Sequence, residues 1–191
     1  SGFTLAATPQ VATFAGNNPA SAGLLDAAGQ AAKFFNQMGI ARDGAGNLYV
    51  ADRGNHCIRK ITTAGLVSIF AGSASGTAGF ADGTGTAALF NNPNGVAVDG
   101  GGNVYVADGF NNRIRKITPG GVVTTFAGSG AIGFLDATGT AAQFSNPHGI
   151  CIDGAGNLYV ADFNNQRIRK IDVGAVVTTV AGNATADRKS T

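Results

Sequence analysis

Carboxylates that recur at matched positions are the residues of this sequence with the clearest capacity for chemistry. One set precedes glycine-containing turns and comprises Asp43, Asp99 and Asp153. A second set ends the next apolar segment and comprises Asp52, Asp108 and Asp162. Aspartates beside glycine commonly accept backbone N–H bonds in turns, whereas a ring of equivalent carboxylates could hold a metal ion. Because no dense Asp cluster typical of a calcium loop accompanies them, we predict turn-capping carboxylates and no metal or other cofactor.

Basic residues also recur, as pairs within segments of β-like alternation. The pairs are Arg59-Lys60, Arg115-Lys116 and Arg169-Lys170. Adjacent residues of a strand point to opposite faces, so each pair places one side chain on each face. Two hypotheses follow. The pairs either form cross-strand ion pairs or a solvated sheet edge, or they line a basic rim that binds a ligand.

Histidine, cysteine and serine form no recognisable catalytic pattern. His56 and His148 lie at different repeat positions, and neither a His-Glu-x-x-His segment nor a Gly-x-Ser-x-Gly elbow is present. Cys57 and Cys151 are also non-equivalent, which argues against a metal site or a disulfide framework and leaves an intermolecular disulfide open. We therefore predict that the protein is not an enzyme.

An internal repeat positions all of these residues. The segment 43–52, Asp-Gly-Ala-Gly-Asn-Leu-Tyr-Val-Ala-Asp, returns at 99–108 and 153–162, at spacings of 56 and 54 residues. In the second copy, strands are predicted at 95–99, 103–107, 113–118 and 122–127 from alternation and β-branched content. Glycine- and asparagine-rich links supply the tight turns between them. A four-stranded sheet of small residues cannot bury both faces alone, so the units must stack as a propeller or a solenoid.

Three segments of each repeat resemble the NHL family of β-propellers. They are Gly-(Val/Ile)-x-(Val/Ile)-Asp, Asn-(Leu/Val)-Tyr-Val-Ala-Asp and Asn-(His/Asn)-x-Ile-Arg-Lys; the first repeat keeps Asn55-His56 and the later ones carry Asn111-Asn112 and Asn165-Gln166. The resemblance implies an all-β propeller of four-stranded antiparallel blades. This chain would supply three blades, either half of a six-bladed ring or part of a longer repeat array.

The predicted boundaries follow the repeat. They are an N-terminal arm at 1–9, a spare outer strand at 10–16, repeats at 17–72, 73–128 and 129–182, and a polar tail at 183–191. The segments between repeats share a pattern that includes Asp26, Asp82 and Asp136, which we interpret as repeated loop geometry rather than an ion loop. Residues 87–90 are expected to make one helical turn, and Phe34, Phe90 and Phe144 to fill the space between blades.

One predicted strand has no place in a blade. The last repeat ends with its own outer strand at 176–182, which leaves the strand at 10–16 over. Exposed blade faces and strand edges favour association, so we expect homo-oligomers, either closed dimers or filaments, formed through blade faces and strand addition. The added strand would comprise Gln10, Val11, Ala12, Thr13, Phe14, Ala15 and Gly16. The accepting outer strand would comprise Val176, Val177, Thr178, Thr179 and Val180.

Other interpretations stay open. The resemblance also allows a ligand-binding propeller that recognises a protein or a glycan, or a propeller lyase or hydrolase, although lyase-like members use several histidines and this chain has two.

A net charge of +2 argues against the RNA binding of some family members. No apolar run reaches the roughly 18 residues of a membrane span. Low lysine content with abundant Asn, Thr and Gly suggests an extracellular or periplasmic location.

Overall fold

The computed structural model describes residues 12–16 and 22–182, which form short antiparallel strands and single 3-10 turns. The strands make three sheets, here called blades 1, 2 and 3. Blade 1 contains β1 (Ala27–Ala28), β2 (Gln37–Arg42), β3 (Leu48–Asp52), β4 (Cys57–Ile61) and β5 (Leu66–Gly72). Blade 2 contains β6 (Gly83–Thr84), β7 (Pro93–Val98), β8 (Val104–Asp108), β9 (Arg113–Ile117) and β10 (Val122–Ala127). Blade 3 contains β11 (Pro147–Ile152), β12 (Leu158–Asp162), β13 (Arg167–Ile171) and β14 (Val177–Ala181).

Each blade is an antiparallel meander, as predicted. The order is β1-β5-β4-β3-β2 in blade 1, with the same order in blade 2 and β11-β12-β13-β14 in blade 3. The four-strand expectation per repeat is confirmed, with boundaries shifted by one or two residues. The two-residue strands β1 and β6 were not predicted, because nothing in so short a segment distinguishes a strand from a loop. We call β2, β7 and β11 the inner strands and β5, β10 and β14 the outer strands.

An aspartate closes the hairpin between the first two long strands of every blade. The Asp43 carboxylate accepts the Asn47 backbone N–H and the Asn47 side-chain amide, both at 2.8 Å. The side-chain hydrogen bond from Asn47 holds the pKa of Asp43 below its ordinary value. Asp99 and Asp153 make the same bonds with Asn103 and Asn157. The interpretation of this set as turn-capping carboxylates is confirmed.

A fully buried arginine ties each blade to the segment that leads into it. In blade 2, the Arg115 guanidinium lies 3.0 Å from Asp108 and 2.6 Å from Asp82. It also donates to the Leu89 and Ala81 carbonyl oxygens at 3.1 and 2.9 Å. Arg59 and Arg169 make the equivalent contacts in the other two blades. Four fixed acceptors therefore compensate the loss of hydration of each buried charge.

The second aspartate set supports both that arginine and the turn that follows each aspartate. The Asp108 carboxylate accepts the Asn111 side-chain amide and the Asn91 backbone N–H, both at 2.8 Å. Burial raises the pKa of Asp108 to about 6, against the opposing effect of these hydrogen bonds and of Arg115. Asp52 and Asp162 bind the backbone N–H groups of Phe35 and Ser145 in the same way. Each of these carboxylates thus fixes the entry to the inner strand of its own blade.

Apolar residues fill the space between blades. Phe90 and Phe144 are fully buried and lie between blades 1 and 2 and between blades 2 and 3, which confirms them as interblade fillers. Phe34, the third member, is half-buried because it lies on the side of blade 1 that faces away from blade 2. The helical turn that precedes Phe90 is a 3-10 turn at Gly85–Ala87, two residues earlier than predicted.

The inner strands of successive blades approach so closely that glycine is required. A Cβ atom at Gly39 would lie 2.7 Å from the Asn94 carbonyl oxygen and 2.8 Å from the Gly95 Cα. A Cβ atom at Gly95 would collide with the His148 carbonyl oxygen in the same way. Side chains at these two positions would push the blades apart.

Unequal effects are expected from removal of the two carboxylates that share Arg115. Asp108→Ala leaves a buried guanidinium without its fully buried partner and should lower the free energy of unfolding by about 3–5 kcal/mol. Asp82→Ala removes a carboxylate whose side chain is 50% exposed and should cost about 1 kcal/mol or less. Urea denaturation of both variants gives the comparison, and equal losses would contradict the role assigned to Asp108.

Candidate functional site

A repeated hydrogen bond joins each blade to the next. His56 has left-handed backbone geometry after β3, and its Nδ1 accepts the backbone N–H of Asn92 at 3.0 Å. Asn112 is its equivalent in blade 2, and its Oδ1 accepts the backbone N–H of Asn146 at 2.9 Å. We call this contact the interblade latch. Sequence reasoning missed it, although its signal was present as a polar residue at one position of every repeat.

At each end of the blade array, one partner of the interblade latch makes no such contact within the described residues. Gln166 is the equivalent of His56 and Asn112; it is exposed and has the same left-handed geometry. Asn36 is the equivalent of Asn92 and Asn146 and is also exposed. Among the described residues, neither group makes the latch contact. Blade 3 therefore presents a latch acceptor and blade 1 presents a latch donor.

Blade 3 presents an open face that matches faces buried elsewhere. We call it the forward face, and it comprises Cys151, Tyr159, Ala161, Ile168 and Val180. Ile168 is 41% exposed, whereas its equivalents Ile58 and Ile114 are fully buried against the following blade. Gly149 is likewise exposed, whereas Gly95 is buried between inner strands. The exposure of the forward face thus arises from the missing neighbour rather than from its composition.

Blade 1 presents the complementary face. We call it the back face, and it comprises Phe34, Ile40, Leu48 and Val50. Ile40 is 61% exposed, whereas its equivalent Val96 is 5% exposed beneath blade 1. The back face also carries one departure from the repeat, since Arg42 stands where the later blades have Val98 and Ile152. The described blades thus present two different surfaces, one at each end of the array.

The described part of the predicted spare strand is not in a strand. This part is residues 12–16, whereas Gln10 and Val11 lie outside the described residues. Gly16 donates its N–H to the Gly29 carbonyl oxygen at 3.1 Å, just as Gly128, after outer strand β10, donates to Gly139 at 3.1 Å. Residues 12–16 therefore occupy the place where the outer strand of a preceding blade would end.

The predicted accepting strand has an occupied outer edge. Val177 donates its N–H to the Ala137 carbonyl oxygen at 2.9 Å, and Thr179 donates its N–H to Asp136 Oδ2 at 2.9 Å. Val176 also bridges to Thr138. Two backbone N–H groups that an added strand would need, those of Val177 and Thr179, are thus already bound. Strand addition to Val176, Val177, Thr178, Thr179 and Val180 stays a prediction that would require these two bonds to break.

The basic rim hypothesis fails for its arginines. Arg59, Arg115 and Arg169 are fully buried in ion pairs, so they cannot contact a ligand at the surface. The lysines are half-buried, and the Lys60 and Lys116 ammonium groups lie over the Tyr49 and Tyr105 rings at 5.5 and 5.8 Å. Lys170 is half-buried as well. The alternative hypothesis of ion pairs is the one that the structure bears out for the arginines.

The described residues contain few groups suited to catalysis. Over 12–16 and 22–182, no group of three or more His, Cys, Asp or Glu side chains is placed to hold a metal ion. His56 and His148 are half-buried and far apart in the repeat, and burial lowers the pKa of each. In the same residue ranges, no helix is long and apolar enough to traverse a bilayer.

Comparison with known proteins identifies the repeat. A family model described as NHL repeat matches residues 39–61, 90–117 and 144–171. The chain thus contains three NHL repeats. It is 39% identical over 99 residues to NHL repeat-containing protein 2 of Bos taurus, a match over 50% of this chain and 14% of that protein. It is 42% identical over 93 residues to the chloroplastic protein SUPPRESSOR OF QUENCHING 1 of Arabidopsis thaliana, over 48% of this chain and 9% of that protein.

A solved structure supports the propeller-like fold of this NHL chain. An auxiliary nutrient binding protein from Bacteroides ovatus is 26% identical, with a TM-score of 0.63 over 80% of this chain and 39% of that chain. The chain thus spans 9%, 14% and 39% of these three proteins, respectively the Arabidopsis, bovine and Bacteroides proteins. Its three sheets correspond to part of the Bacteroides ovatus structure.

The two cysteines provide a direct measurement of forward-face exposure. Cys57 is fully buried, and burial raises the pKa of its thiol to about 12, so it should not react in the folded protein. Cys151 is exposed on the forward face and should be modified readily by a maleimide. Mass spectrometry should find one modified thiol in the native protein and two after unfolding. The Cys151→Ser variant should show none in the native state; a native Cys57 adduct would contradict the described packing.

Proposed function

We propose that this NHL chain is a non-catalytic interaction module that completes a propeller by docking its forward face on the back face of a second copy. The observation that carries the proposal is the exposure of Ile168 at a position that the other two blades bury completely. Burial of such a side chain contributes about 1.5–3 kcal/mol, and the whole face would gain several such terms. The two interblade interfaces within the chain supply the template for this contact.

The template defines the contacts of the junction. By the repeat, the Gln166 side-chain oxygen of one copy would accept the Asn36 backbone N–H of the next, as His56 does for Asn92. Gly149 would lie against the inner strand β2 of the next copy, as Gly95 lies against His148. Glutamine is one methylene longer than asparagine, so this latch would span a slightly wider gap than the internal ones.

Residues 12–16 compete with this junction. Gly182 is the repeat equivalent of Gly128, so in the junction it would bind at Gly29, where Gly16 lies within one chain. Both segments cannot occupy that place at once. Docking therefore requires residues 12–16 to move away, and this replaces the predicted use of residues 10–16 as an added strand.

Two outcomes follow from the geometry of such a junction. Two three-bladed chains would close a six-bladed ring if the rotations between successive blades add up to one full turn. If they do not, chains would continue to add and form a filament. Continuation of the same face into further repeats of a longer protein is the alternative, because the chain spans only part of its relatives. In that case the forward face would be covered within one polypeptide.

A ligand-binding role is the second candidate. The Bacteroides ovatus neighbour is named as an auxiliary nutrient binding protein, which favours recognition of a protein or a glycan over catalysis. An extracellular or periplasmic location is part of this second proposal. A lyase or hydrolase activity has less support, because the described residues contain no cluster of metal-binding side chains.

Solution mass distinguishes the assembly modes. Light scattering of the full chain over a wide concentration range should show a shift from monomer to dimer or to larger species. A chain that lacks residues 1–16 should associate at lower concentration, because the competing segment is gone. Loss of association after this deletion would instead restore strand addition by residues 10–16. A monomer at every concentration, with Cys151 fully reactive in both forms, would refute docking between copies.

A matched pair of glycine substitutions tests the junction itself. Gly149→Val should abolish association while changing the free energy of unfolding of the monomer by about 0.5 kcal/mol or less, because a Cβ there meets only Ala161 at 3.9 Å. Gly95→Val should instead destabilise the monomer by about 1–3 kcal/mol, because its Cβ would collide within the chain. Sedimentation and urea denaturation give the two readouts. Association that survives Gly149→Val would exclude the proposed interface.

A further inference from the structure

The three blades differ most where the turn after the second long strand (β3, β8 or β12) meets the inner strands. Arg53, Gly109 and Phe163 are equivalent positions in the turns. Met38, Asn94 and His148 are equivalent positions in the inner strands. The Asp-Arg ion pairs, by contrast, are identical in all three blades. Residues that every blade needs are repeated, so the blade fold does not dictate which side chains stand at these six positions.

Asn94 lies at the centre of this region. Its side-chain Nδ2 donates to the Pro147 carbonyl oxygen at 3.0 Å and approaches Asn146 Oδ1 at 3.4 Å, both in blade 3. The glycine at position 109 packs directly on the same amide, so the turn of blade 2 also converges there. Asn94 is 3% exposed, yet its Oδ1 has no hydrogen-bond partner among the described residues.

Two pairs of side chains border Asn94, and each pair consists of one basic and one aromatic residue. The Arg53 guanidinium lies 5.9 Å from the centre of the Phe110 ring. The His148 ring stacks on the Phe163 ring with centroids 4.3 Å apart and an angle of 13°. Phe110 and Phe163 remain 52% and 58% exposed, so their rings are available to a ligand. We call Arg53, Asn94, Phe110, His148 and Phe163 the inner-strand cluster.

The electrostatic environment of the cluster is positive. In the described ranges no carboxylate forms an ion pair with Arg53. Its Nε–H is buried without an acceptor, as are those of Arg59, Arg115, Arg167 and Arg169. Burial lowers the pKa of His148, and the nearby Arg53 charge lowers it further. The inner-strand cluster thus combines an uncompensated guanidinium, an imidazole and two exposed aromatic rings.

We propose that the inner-strand cluster binds the carboxylate of a small organic acid with a flat, apolar body. A planar guanidinium fork matches a carboxylate, and the aromatic rings offer stacking surfaces for the body of the ligand. All five residues belong to one chain, so the site does not depend on assembly between copies.

Binding of 4-hydroxybenzoate, compared with its neutral analogue 4-hydroxybenzamide, tests the proposal. Calorimetry on the full chain should detect the acid and find the amide at least about tenfold weaker, since a hydrogen bond to a charged group contributes at this level. The His148 pKa, followed by NMR, should rise when the acid binds, because a nearby carboxylate favours the protonated imidazole. The amide should leave that pKa unchanged.

Two substitutions and one control locate the site. Arg53→Gln and His148→Asn should each weaken binding of the acid, the first by about tenfold or more. Both keep the fold intact, because blade 2 carries Gly109 and Asn94 at the same positions. Lys170→Gln removes one positive charge elsewhere and should leave binding unchanged. Equal binding of acid and amide, or equal weakening by Arg53→Gln and Lys170→Gln, would overturn the proposal.

Discussion

A buried guanidinium that must be neutralised by fixed acceptors is the constraint on which each blade depends. In blade 2, Arg115 reaches two carboxylates and two carbonyl oxygens that come from the segment before the blade and from the end of β8. A buried charge is costly unless it is paired and hydrogen-bonded, so these segments cannot move independently. The same carboxylate that holds the arginine also binds the N–H that precedes the inner strand. One ion-pair network thus sets the positions of the segment before the blade, of strands β8 and β9, and of the inner strand together.

Packing between blades builds on that frame. The Arg115 guanidinium carbon lies 5.3 Å from the centre of the Phe90 ring, and this fully buried ring fills the gap to the preceding blade. Glycine on the inner strands lets the backbones approach, and the latch from His56 to Asn92 satisfies a backbone N–H at the junction. Each interface therefore combines an aromatic filler, a close backbone contact and one polar latch. Blade 3, which has no following blade in this chain, exposes the glycine and latch positions of such an interface at Gly149 and Gln166.

The division between repeated and varied residues separates stability from recognition. The residues that neutralise the buried arginine, fill the space between blades and cap the turns are the same in every blade, because every blade has the same structural requirements. At Arg53, Asn94 and His148 the repeats differ, and these side chains converge on one region between inner strands. Arg42 on the back face is a similar departure, since it introduces a charge where the other blades have aliphatic residues. Such departures mark the surfaces where this chain differs from an array of identical blades.

Alternation, turn residues and the repeat determined the strand content and the turn-capping role of Asp43, because these depend on contacts within a few residues along the chain. The sequence also indicated that Phe90 and Phe144 lie between blades, since a large apolar residue at a fixed repeat position has few other places. Only the tertiary structure decided that Arg115 is buried, because its four acceptors come from 7 to 34 residues away along the chain. It likewise decided that the edge of β14 is occupied and that Gly16 takes the place of a preceding outer strand. Strand patterns alone cannot reveal such contacts, since the partner of an edge is set by the path of the linker through space.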